Sequence, residues 1–273
     1  MKLLRKRKIA FLTLIGIYLC FNSVMFAKSQ DLPYSVGEKL KFTLYVSGFK
    51  VGYQTIELTS GQPINGVETY VIKGLTKTSP FVSIFYRLDD KWTIYIEKNS
   101  LLPVKVEKDY VEGKSSGYYV YDIDQKENLV ILHNKKTGDE KQFRSENYVF
   151  DLFSLIYFIR ANPYVIKNTT FTFDFLQPKS VRTVHFKDTG EVEIKIPLRA
   201  PQKSITAHKI EQIGGIGIKL FVGKDDLRLP LIMVVPTKLS KNKKIDLELY
   251  LTGYSPGVDQ KDIPKIYRRL RKR

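Results

Sequence analysis

Two clusters of charged residues have the spacing that acid–base chemistry requires. Asp225, Asp226 and Arg228 lie together at the start of an apolar stretch. A second segment carries carboxylates at Glu107, Asp109 and Glu112. Paired carboxylates in a cleft can act as general acid and base, including on glycans. Because aspartates that cap turns are far commoner than catalytic ones, we interpret both clusters as structural and assign no catalytic residue.

The sequence offers little for metal or nucleotide chemistry. The three histidines, none of them at metal-ligand spacing from another, are His133, His185 and His208. Residues 214–217 are glycine-rich but lack the Lys-Ser/Thr of a phosphate-binding loop. The single cysteine, Cys20, lies in the N-terminal apolar run. We therefore expect neither a metal nor a cofactor.

Residues 148–161 are apolar on nearly every side and form a run too long for an ordinary strand. We predict a buried helix here, capped by Asn147 or Ser145 and covered by the concave side of a curved sheet. Its polar residues are few. Two of them, Asp151 and Ser154, are three positions apart and share a face of the helix.

The charges of Asp151 and Arg160 on this apolar helix need partners, because burying an unpaired charge is costly. One interpretation is a structural salt bridge from the helix to the sheet, with Arg228 or Asp226 as the partner. The other is a polar anchor for the head group of a ligand. We favour the structural interpretation.

The rest of the chain has the alternation of β-strands. Apolar and polar residues alternate around 39–46, 91–97, 191–196 and 244–251, which places one face on a core and the other in solvent. Turn sequences rich in Gly, Asn and Asp separate these runs. We predict a mainly β fold of roughly ten to thirteen strands. The strands form one large curved antiparallel sheet, half-barrel or clam-like, with a single buried helix near 148–161.

The N-terminus has the order of a secretory signal. Five basic residues lie within residues 1–8, and residues 9–21 are apolar and uncharged. Cleavage after Ser29 would remove residues 1–29 as a signal peptide. Residues 9–27 are all uncharged, however, and approach the roughly 20 residues that span a bilayer, so an inner-membrane anchor is the alternative. Both alternatives predict a periplasmic location for the folded part.

The formal charge of +17 is concentrated at the two ends of the chain. The middle is only mildly basic, which argues against a nucleic-acid partner. We divide the rest of the chain into an antiparallel β domain over 30–256 and a basic C-terminal tail over 257–273. The tail is either a solvated extension, frayed or shortly helical, or a contact to anionic phosphates of the membrane surface.

Three stretches, in order, resemble a known family. They are GEKLKFTLYVSGFKVGYQTIEL at 37–58, VFDLFSLIYFIR at 149–160 and KDDLRLPLIMVV at 224–235. The first is an entry strand with a Gly-x-x-x-Gly bend, the second an Asp-x-x-Ser-x-x-Tyr-x-x-Arg helix, and the third a late Asp-x-x-Arg-x-Pro strand. Together they resemble the exported envelope proteins called domain of unknown function 3108, over residues 37–254.

This resemblance implies an exported Gram-negative protein without an assigned activity. Carried over to this chain, the family pattern falls on Gly37, Glu38, Tyr45, Gly48, Gly52, Asp151, Ser154, Tyr157, Arg160, Asp226, Arg228 and Pro230. None of these residues has an established role. We take six of them as candidate ligand-binding residues: Asp151, Ser154, Tyr157, Arg160, Asp226 and Arg228. In shape alone, such a protein is also similar to periplasmic lipid and lipoprotein carriers.

An excess of apolar residues leads to the hypothesis for function. Phenylalanines crowd one region of the chain, at Phe150, Phe153, Phe158, Phe171, Phe173 and Phe175. Such residues either fill a core or line an apolar groove. We expect a non-enzymatic protein that binds or carries an apolar or lipidic envelope component. The alternatives are an envelope scaffold that binds protein partners and, last, a hydrolase of glycan or lipid.

Overall fold

The computed structural model describes residues 32–163, 170–177, 180–196, 204–240 and 243–259, together with residues 264, 267 and 270. The predicted N-terminal signal or anchor lies outside the described residues. Residues Asp31–Arg273 form one compact unit. Within the part of the chain that is described, no helix is both long enough and apolar enough to cross a membrane.

Fifteen strands and two helices make up the described part of the chain. The strands are β1 (Lys39–Val46), β2 (Phe49–Ser60), β3 (Thr69–Thr78), β4 (Leu88–Glu97), β5 (Pro103–Glu112), β6 (Ser115–Asp124), β7 (Leu129–Asn134), β8 (Glu140–Arg144), β9 (Val149–Phe150), β10 (Thr170–Gln177), β11 (Ser180–Ile194), β12 (Ile205–Ile213), β13 (Lys219–Gly223), β14 (Pro230–Ser240) and β15 (Lys243–Ser255). The helices are α1 (Pro80–Ser83), after β3, and α2 (Leu152–Ala161), after β9. The predicted mainly β fold is confirmed. More strands occur than predicted, because β9 is only two residues long and β8 has no buried side chain to mark an alternation.

All of these strands belong to one open sheet. Its order is β8-β7-β6-β5-β4-β3-β2-β1-β15-β14-β13-β12-β11-β10-β9. Two meanders, one formed by β1 to β8 and the other by β10 to β15, therefore meet where β1 pairs with β15. The pairs are antiparallel, as predicted, except that β9 runs parallel to β10.

Alternation along each strand separates an apolar inner face from a polar outer face. On β1, Leu40, Phe42 and Leu44 are buried, while the residues between them are not. Register shifts interrupt the pairing of β1 with both of its neighbours, and such bulges bend a strand. The sheet curls far enough for Tyr121 Oη in β6 to donate a hydrogen bond to the carbonyl oxygen of Gln177 in β10, at 3.4 Å. The inner face and α2 together form the core.

The β1–β2 hairpin requires glycine at two positions, Gly48 in the turn and Gly52 in β2. Ser47 and Gly48 have φ angles of 50° and 79°, the pair of positive values found in the two-residue turns that favour glycine. Gly52, in β2, lies so close to the carbonyl of Lys77 in β3 that a Cβ atom would overlap it. A side chain at Gly52 would therefore push β2 and β3 apart.

The curled sheet has two unlike ends. We call the end at which β1 begins the helix end; it carries the connections at 98–102, 125–128 and 224–229. We call the opposite end the hairpin end; it carries the connections at 47–48, 79–87 and 113–114. Gln125, in a connection of the helix end, exchanges two hydrogen bonds of 3.0 Å with the backbone of Val149. This contact fixes β9, and hence the start of α2, at the helix end.

The predicted buried helix is confirmed as α2, but its cap lies later than predicted. Asp151 Oδ1 accepts hydrogen bonds from the backbone N–H groups of Phe153, at 2.8 Å, and Ser154, at 3.3 Å. Ser154 Oγ accepts one from the Asp151 N–H at 3.1 Å, which completes a capping box. The expected caps, Asn147 and Ser145, were wrong because β9 pairs with β10 before the helix begins.

Removing this cap should weaken the start of α2. In Asp151→Ala, the N–H groups of Phe153 and Ser154 lose their acceptor inside the core, which should lower the free energy of unfolding by about 1–3 kcal/mol. Asp124→Ala is the matched control, because Asp124 accepts two backbone N–H groups in an exposed turn. Urea denaturation followed by circular dichroism measures both variants. Equal losses would contradict the role of burial.

Candidate functional site

The polar residues of α2 meet the segment before β1 in a buried network at the helix end. Arg160 Nη1 donates to Glu38 Oε1 at 2.6 Å, and Nη2 donates to Oε2 at 2.8 Å. Both side chains are completely buried. Two parallel charge-assisted hydrogen bonds are the geometry that best offsets the cost of removing two charges from water.

Backbone carbonyls and aromatic rings surround the guanidinium group of Arg160. Its Nε and Nη2 donate to the carbonyl oxygen of Leu227 at 3.3 Å, and Nη2 also donates to that of Pro33 at 3.3 Å. The rings of Tyr34 and Tyr157 lie 5.0 and 5.2 Å from the guanidinium carbon. One side chain thus links α2, the segment before β1 and the β13–β14 connection.

The two tyrosines complete the network. Tyr157 Oη donates to Glu38 Oε1 at 3.1 Å, and Tyr34 Oη donates to the carbonyl oxygen of Tyr157 at 3.2 Å. Burial raises the pKa of both phenols, so they remain neutral donors. Burial alone would lower the pKa of Arg160, but the adjacent Glu38 raises it overall. These groups keep their protons near neutral pH, so the network holds segments together rather than moving protons.

The candidate residues predicted from the sequence are only partly brought together. Tyr157 and Arg160 lie inside the network, and Arg228 borders it by donating from Nε to the carbonyl oxygen of Arg160. Asp226 is exposed. Arg160 forms the ion pair expected between helix and sheet. Its partner is Glu38, not Arg228 or Asp226, because Glu38 immediately precedes β1 and faces the inside.

Asp151 and Ser154 do not join this network, because they lie at the opposite end of α2. Their side chains form the capping box, in which Ser154 Oγ also donates to Asp151 Oδ2 at 2.5 Å. Burial raises the pKa of Asp151, against the effect of the hydrogen bonds that it accepts. The polar side chains of α2 described above therefore all have structural partners.

The C-terminal tail reaches the same end of the sheet. Tyr267 Oη donates to Asp225 Oδ2, and Asp225 Oδ1 accepts from the Leu227 N–H at 3.0 Å. The carbonyl oxygen of Leu270 accepts from the Tyr254 N–H at 3.3 Å. Tyr267 and Leu270 are buried. The tail, for which the sequence left open a solvated extension or a contact to the membrane surface, is packed at these two positions. Asp225 serves as a structural acceptor, in line with the structural interpretation of its cluster.

Breaking one side of the buried ion pair should leave a costly unpaired charge. We expect Glu38→Gln or Arg160→Met alone to lower the free energy of unfolding by about 3–5 kcal/mol. The double variant should lose less than the sum, since no lone charge stays buried. Glu57→Gln, which breaks the exposed pair with Lys39, is the control and should cost at most about 1 kcal/mol. Additive losses in urea denaturation would contradict this account.

A second group of charges lies on the inner face near the hairpin end. Lys108 Nζ is 3.4 Å from Asp90 Oδ2 and 2.8 Å from Glu112 Oε1. It also lies over the rings of Trp92 and Tyr110, 4.5 and 4.8 Å from their centroids. Trp92 packs against α2 and so faces inward, yet Trp92 and Tyr110 are only half-buried. Solvent therefore reaches the inner face at this end.

Two buried polar atoms beside this group make no hydrogen bond within the described residues. Gln54, Thr76 and Asp90 are register neighbours across β2, β3 and β4. Thr76 Oγ1 donates to Gln54 Oε1 at 3.0 Å. Gln54 Nε2 and Asp90 Oδ1 have no hydrogen-bond partner in this part of the chain. A buried donor or acceptor without a partner costs about 1–3 kcal/mol. Each of these atoms can be satisfied by a polar ligand group or by water.

The two carboxyl groups beside Lys108 differ in their affinity for protons. Burial raises the pKa of Asp90 to about 7; the positive charge of Lys108 opposes this rise, and the negative charge of Glu112 adds to it. Burial also acts to raise the pKa of Glu112, but the hydrogen bond and charge of Lys108 lower it overall. Asp90 therefore titrates near neutral pH, while Glu112 stays ionised.

The raised pKa of Asp90 should make stability depend on pH. An unfolded aspartate has a pKa of about 4, so the stabilising contribution of Asp90 is complete below about pH 4 and is lost as the pH rises through about 7. Between about pH 4 and pH 8, the wild type should lose about 1–2 kcal/mol more unfolding free energy than Asp90→Asn. Urea denaturation across this range is the measurement, with the exposed Asp109→Asn as control. Parallel profiles for wild type and Asp90→Asn would contradict the prediction.

A family model described as Protein of unknown function (DUF3108) matches residues 41–248. The chain belongs to this family. The matched range contains α2 and all or part of every strand, and Glu38 lies just before it. The resemblance seen in the sequence is thereby confirmed. No curated protein matches the sequence.

A solved structure supports the architecture of this DUF3108 chain. This chain is similar to the crystal structure of a beta-barrel-like protein of domain of unknown function DUF1849 from Brucella abortus, with a TM-score of 0.55 and 7% sequence identity. The similarity covers 82% of this chain and 98% of the other. At this identity the similarity concerns the fold alone, and it agrees with a curled, barrel-like sheet.

The other clusters singled out in this DUF3108 chain have separate partners. Glu107 alternates with Lys108 on β5, so it faces outward, where it lies 3.0 Å from Lys105. The histidines contact different residues: His133 contacts Asp122 and Glu140, His185 contacts Thr172, and His208 contacts Asp188. Across the described ranges, no group of three or more His, Cys, Asp and Glu side chains is arranged so that it could hold a metal ion.

The phenylalanine-rich region packs around β9, β10 and α2. The Phe150 ring lies 5.0 Å from that of Phe158 and 5.6 Å from that of Phe173. Phe153 instead packs against Trp92, at 5.8 Å. The contacts of Phe150 and Phe153, both buried, make these rings part of the core.

Two grooves lie along β1, β2 and β15. The larger, of about 740 Å³, has Lys41, Thr43, Tyr45 and Tyr53 among its lining residues. The smaller, of about 380 Å³, extends to Leu270 of the tail. The lining of neither groove includes the charged group around Lys108.

Proposed function

We propose that this DUF3108 protein is a non-enzymatic envelope protein that binds an apolar or lipidic component on its inner face at the hairpin end. The observation that carries the proposal is the pair of buried, unpartnered atoms Gln54 Nε2 and Asp90 Oδ1 beside the half-buried rings of Trp92 and Tyr110. A polar head group would bind the two atoms, and an apolar chain would pack on the rings.

The difference between the two ends supports this placement. At the helix end, α2 and the network around Arg160 fill the inside of the sheet. At the hairpin end, the inner face carries solvent-accessible aromatic rings next to polar groups. A ligand that is apolar along one part and polar at one end matches this lining. The N-terminal sequence supports an envelope location, either by a cleaved signal or by an anchor over 9–27.

Native mass spectrometry with lipid extraction tests the proposal on protein purified from its own envelope fraction. We expect an acyl-chain species to co-purify at close to one molecule per chain. Trp92→Ala and Gln54→Leu should each lower that occupancy severalfold, because they remove the ring and the polar donor. Tyr95→Ala is the matched control, since Tyr95 lies on the same strand but faces outward, beside Lys105.

The controls define what would refute the proposal. A native mass that corresponds to the protein without any ligand, together with no uptake of added phospholipid, would reject lipid binding. Equal loss of lipid in Trp92→Ala and Tyr95→Ala would reject the inner face as its site. Circular dichroism of each variant separates loss of binding from loss of folding.

A hydrolase is the second candidate, favoured by one observation. Asp90 and Glu112 lie against the same ammonium group, with pKa values shifted in opposite directions. Such a pair can serve as general acid and base. Binding is the better supported function, because the ammonium group of Lys108 engages both carboxyl groups. Release of product from envelope glycan or lipid by wild type, abolished in Asp90→Asn, would reverse this order.

A further inference from the structure

Large apolar side chains are exposed at the hairpin end. Their exposed fractions are 77% for Phe49, 73% for Phe81, 76% for Ile84, 79% for Phe85 and 50% for Tyr86. We call these five residues the apolar rim. Single exposed apolar residues are ordinary on protein surfaces, whereas a group of large ones at one place marks an interaction site.

The apolar rim is continuous across two neighbouring connections. Phe49 follows the β1–β2 turn, and the other four residues lie in the β3–β4 connection around α1. The two connections touch, because the Ser79 N–H donates to the carbonyl oxygen of Val51 at 2.8 Å. Pro80 and Lys50, one from each connection, both line the larger groove of about 740 Å³.

The β3–β4 connection is held in its exposed position by specific contacts. The carbonyl oxygen of Arg87 accepts from the Gly113 N–H at 2.7 Å, and the Tyr86 ring lies directly over Gly113. Ser83 Oγ donates to the carbonyl oxygen of Pro80 at 2.7 Å. Helix α1 has no buried residue. The connection therefore presents apolar side chains to the surroundings as part of an ordered structure.

The connections that carry the apolar rim are positively charged, although acidic residues lie on the strands beside them. Residues 47–50, 79–87 and 113–114 contain three basic residues and no acidic one. The three basic side chains, Lys50, Arg87 and Lys114, are exposed. Arg87 pairs with Asp89 of β4 at 3.5 Å, so the positive charge of this border rests on Lys50 and Lys114. Exposed aromatic and aliphatic side chains bordered by lysine and arginine are typical of surfaces that bind at the boundary between head groups and acyl chains of anionic membranes.

We propose that the apolar rim docks this protein onto the surface of a bilayer containing anionic phospholipid. The side chains of Phe49, Phe81 and Phe85 enter the head-group boundary, while Lys50 and Lys114 contact lipid phosphates. Side chains at the tips of adjoining connections can enter a fluid bilayer, whereas a protein partner would need a matching concave surface. Docking would also bring the inner face around Trp92 next to the membrane, although it does not depend on the ligand-binding proposal.

Vesicle flotation tests the docking with residues 31–273, which form one compact unit and lack the N-terminal apolar run. We expect binding to phosphatidylcholine vesicles only when phosphatidylglycerol is included, and weaker binding at high salt. Phe81→Ser combined with Phe85→Ser should reduce binding about tenfold or more. Val258→Ser is the matched control, because Val258 is 84% exposed but lies at the helix end.

Charge and insertion can be measured separately. Lys50→Gln combined with Lys114→Gln should weaken binding severalfold at low salt only, whereas Lys126→Gln, in a turn of the helix end, should leave it unchanged.

Since Cys20 is the only cysteine in the sequence, Phe85→Cys in residues 31–273 provides a single labelling site. A polarity-sensitive dye there should shift to the blue on binding, and the same dye on Val258→Cys should not.

Three outcomes would overturn the proposal. The first is a folded wild type that does not float with anionic vesicles. The second is binding that survives the rim variants but disappears when the tail residues Arg268, Arg269, Arg271, Lys272 and Arg273 are all replaced by Gln, which would assign it to the basic tail. The third is a rim that instead mediates self-association or capture of a protein partner, detected by light scattering or cross-linking in the absence of vesicles.

Discussion

The buried ion pair between Glu38 and Arg160 is the interaction on which the arrangement of this protein depends. It joins the segment before β1 to the end of α2, and the guanidinium group extends the connection to the β13–β14 turn through the carbonyl of Leu227. Asp225, in the same turn, accepts a hydrogen bond from Tyr267 and so links the tail to these segments. Because a charge buried without its partner is costly, these distant segments must fold together.

The ion pair also explains why the two ends of the sheet differ. With α2 fixed at the helix end, the inside of the sheet is filled there by apolar side chains and a satisfied polar network. At the hairpin end the inner face carries Asp90 and Lys108, with aromatic rings that solvent can reach. A filled end provides rigidity, whereas Gln54 Nε2 and Asp90 Oδ1 at the other end have no hydrogen-bond partner within the described residues. Under the proposed function, stability and binding occupy separate parts of one sheet.

Much of the fold could be predicted from the sequence, because alternation and apolar runs are local signals. The strands, the single sheet and the buried helix followed from them. The helix cap was misplaced because Val149 and Phe150 are apolar in either conformation, and only their pairing with β10 makes them a strand. Among the site residues, Glu38 and Arg160 are 122 positions apart, so no spacing rule relates them. Lys108 was missed for a different reason: a lysine on a strand is expected to face solvent, yet neighbours on other strands hold it inside.

The pairing of β1 with β15 has a consequence for how the chain can fold. Thr43 and Thr252 bond to each other across this pair although 209 residues separate them. Closing so long a loop is entropically unfavourable, and proteins dominated by such distant contacts fold slowly. Until β15 is in place, β1 and β14 each present an unpaired edge, and free edges invite association with other chains. A nascent chain of this protein therefore remains vulnerable to aggregation until nearly all of it is available, which makes protection by a chaperone valuable during its biogenesis.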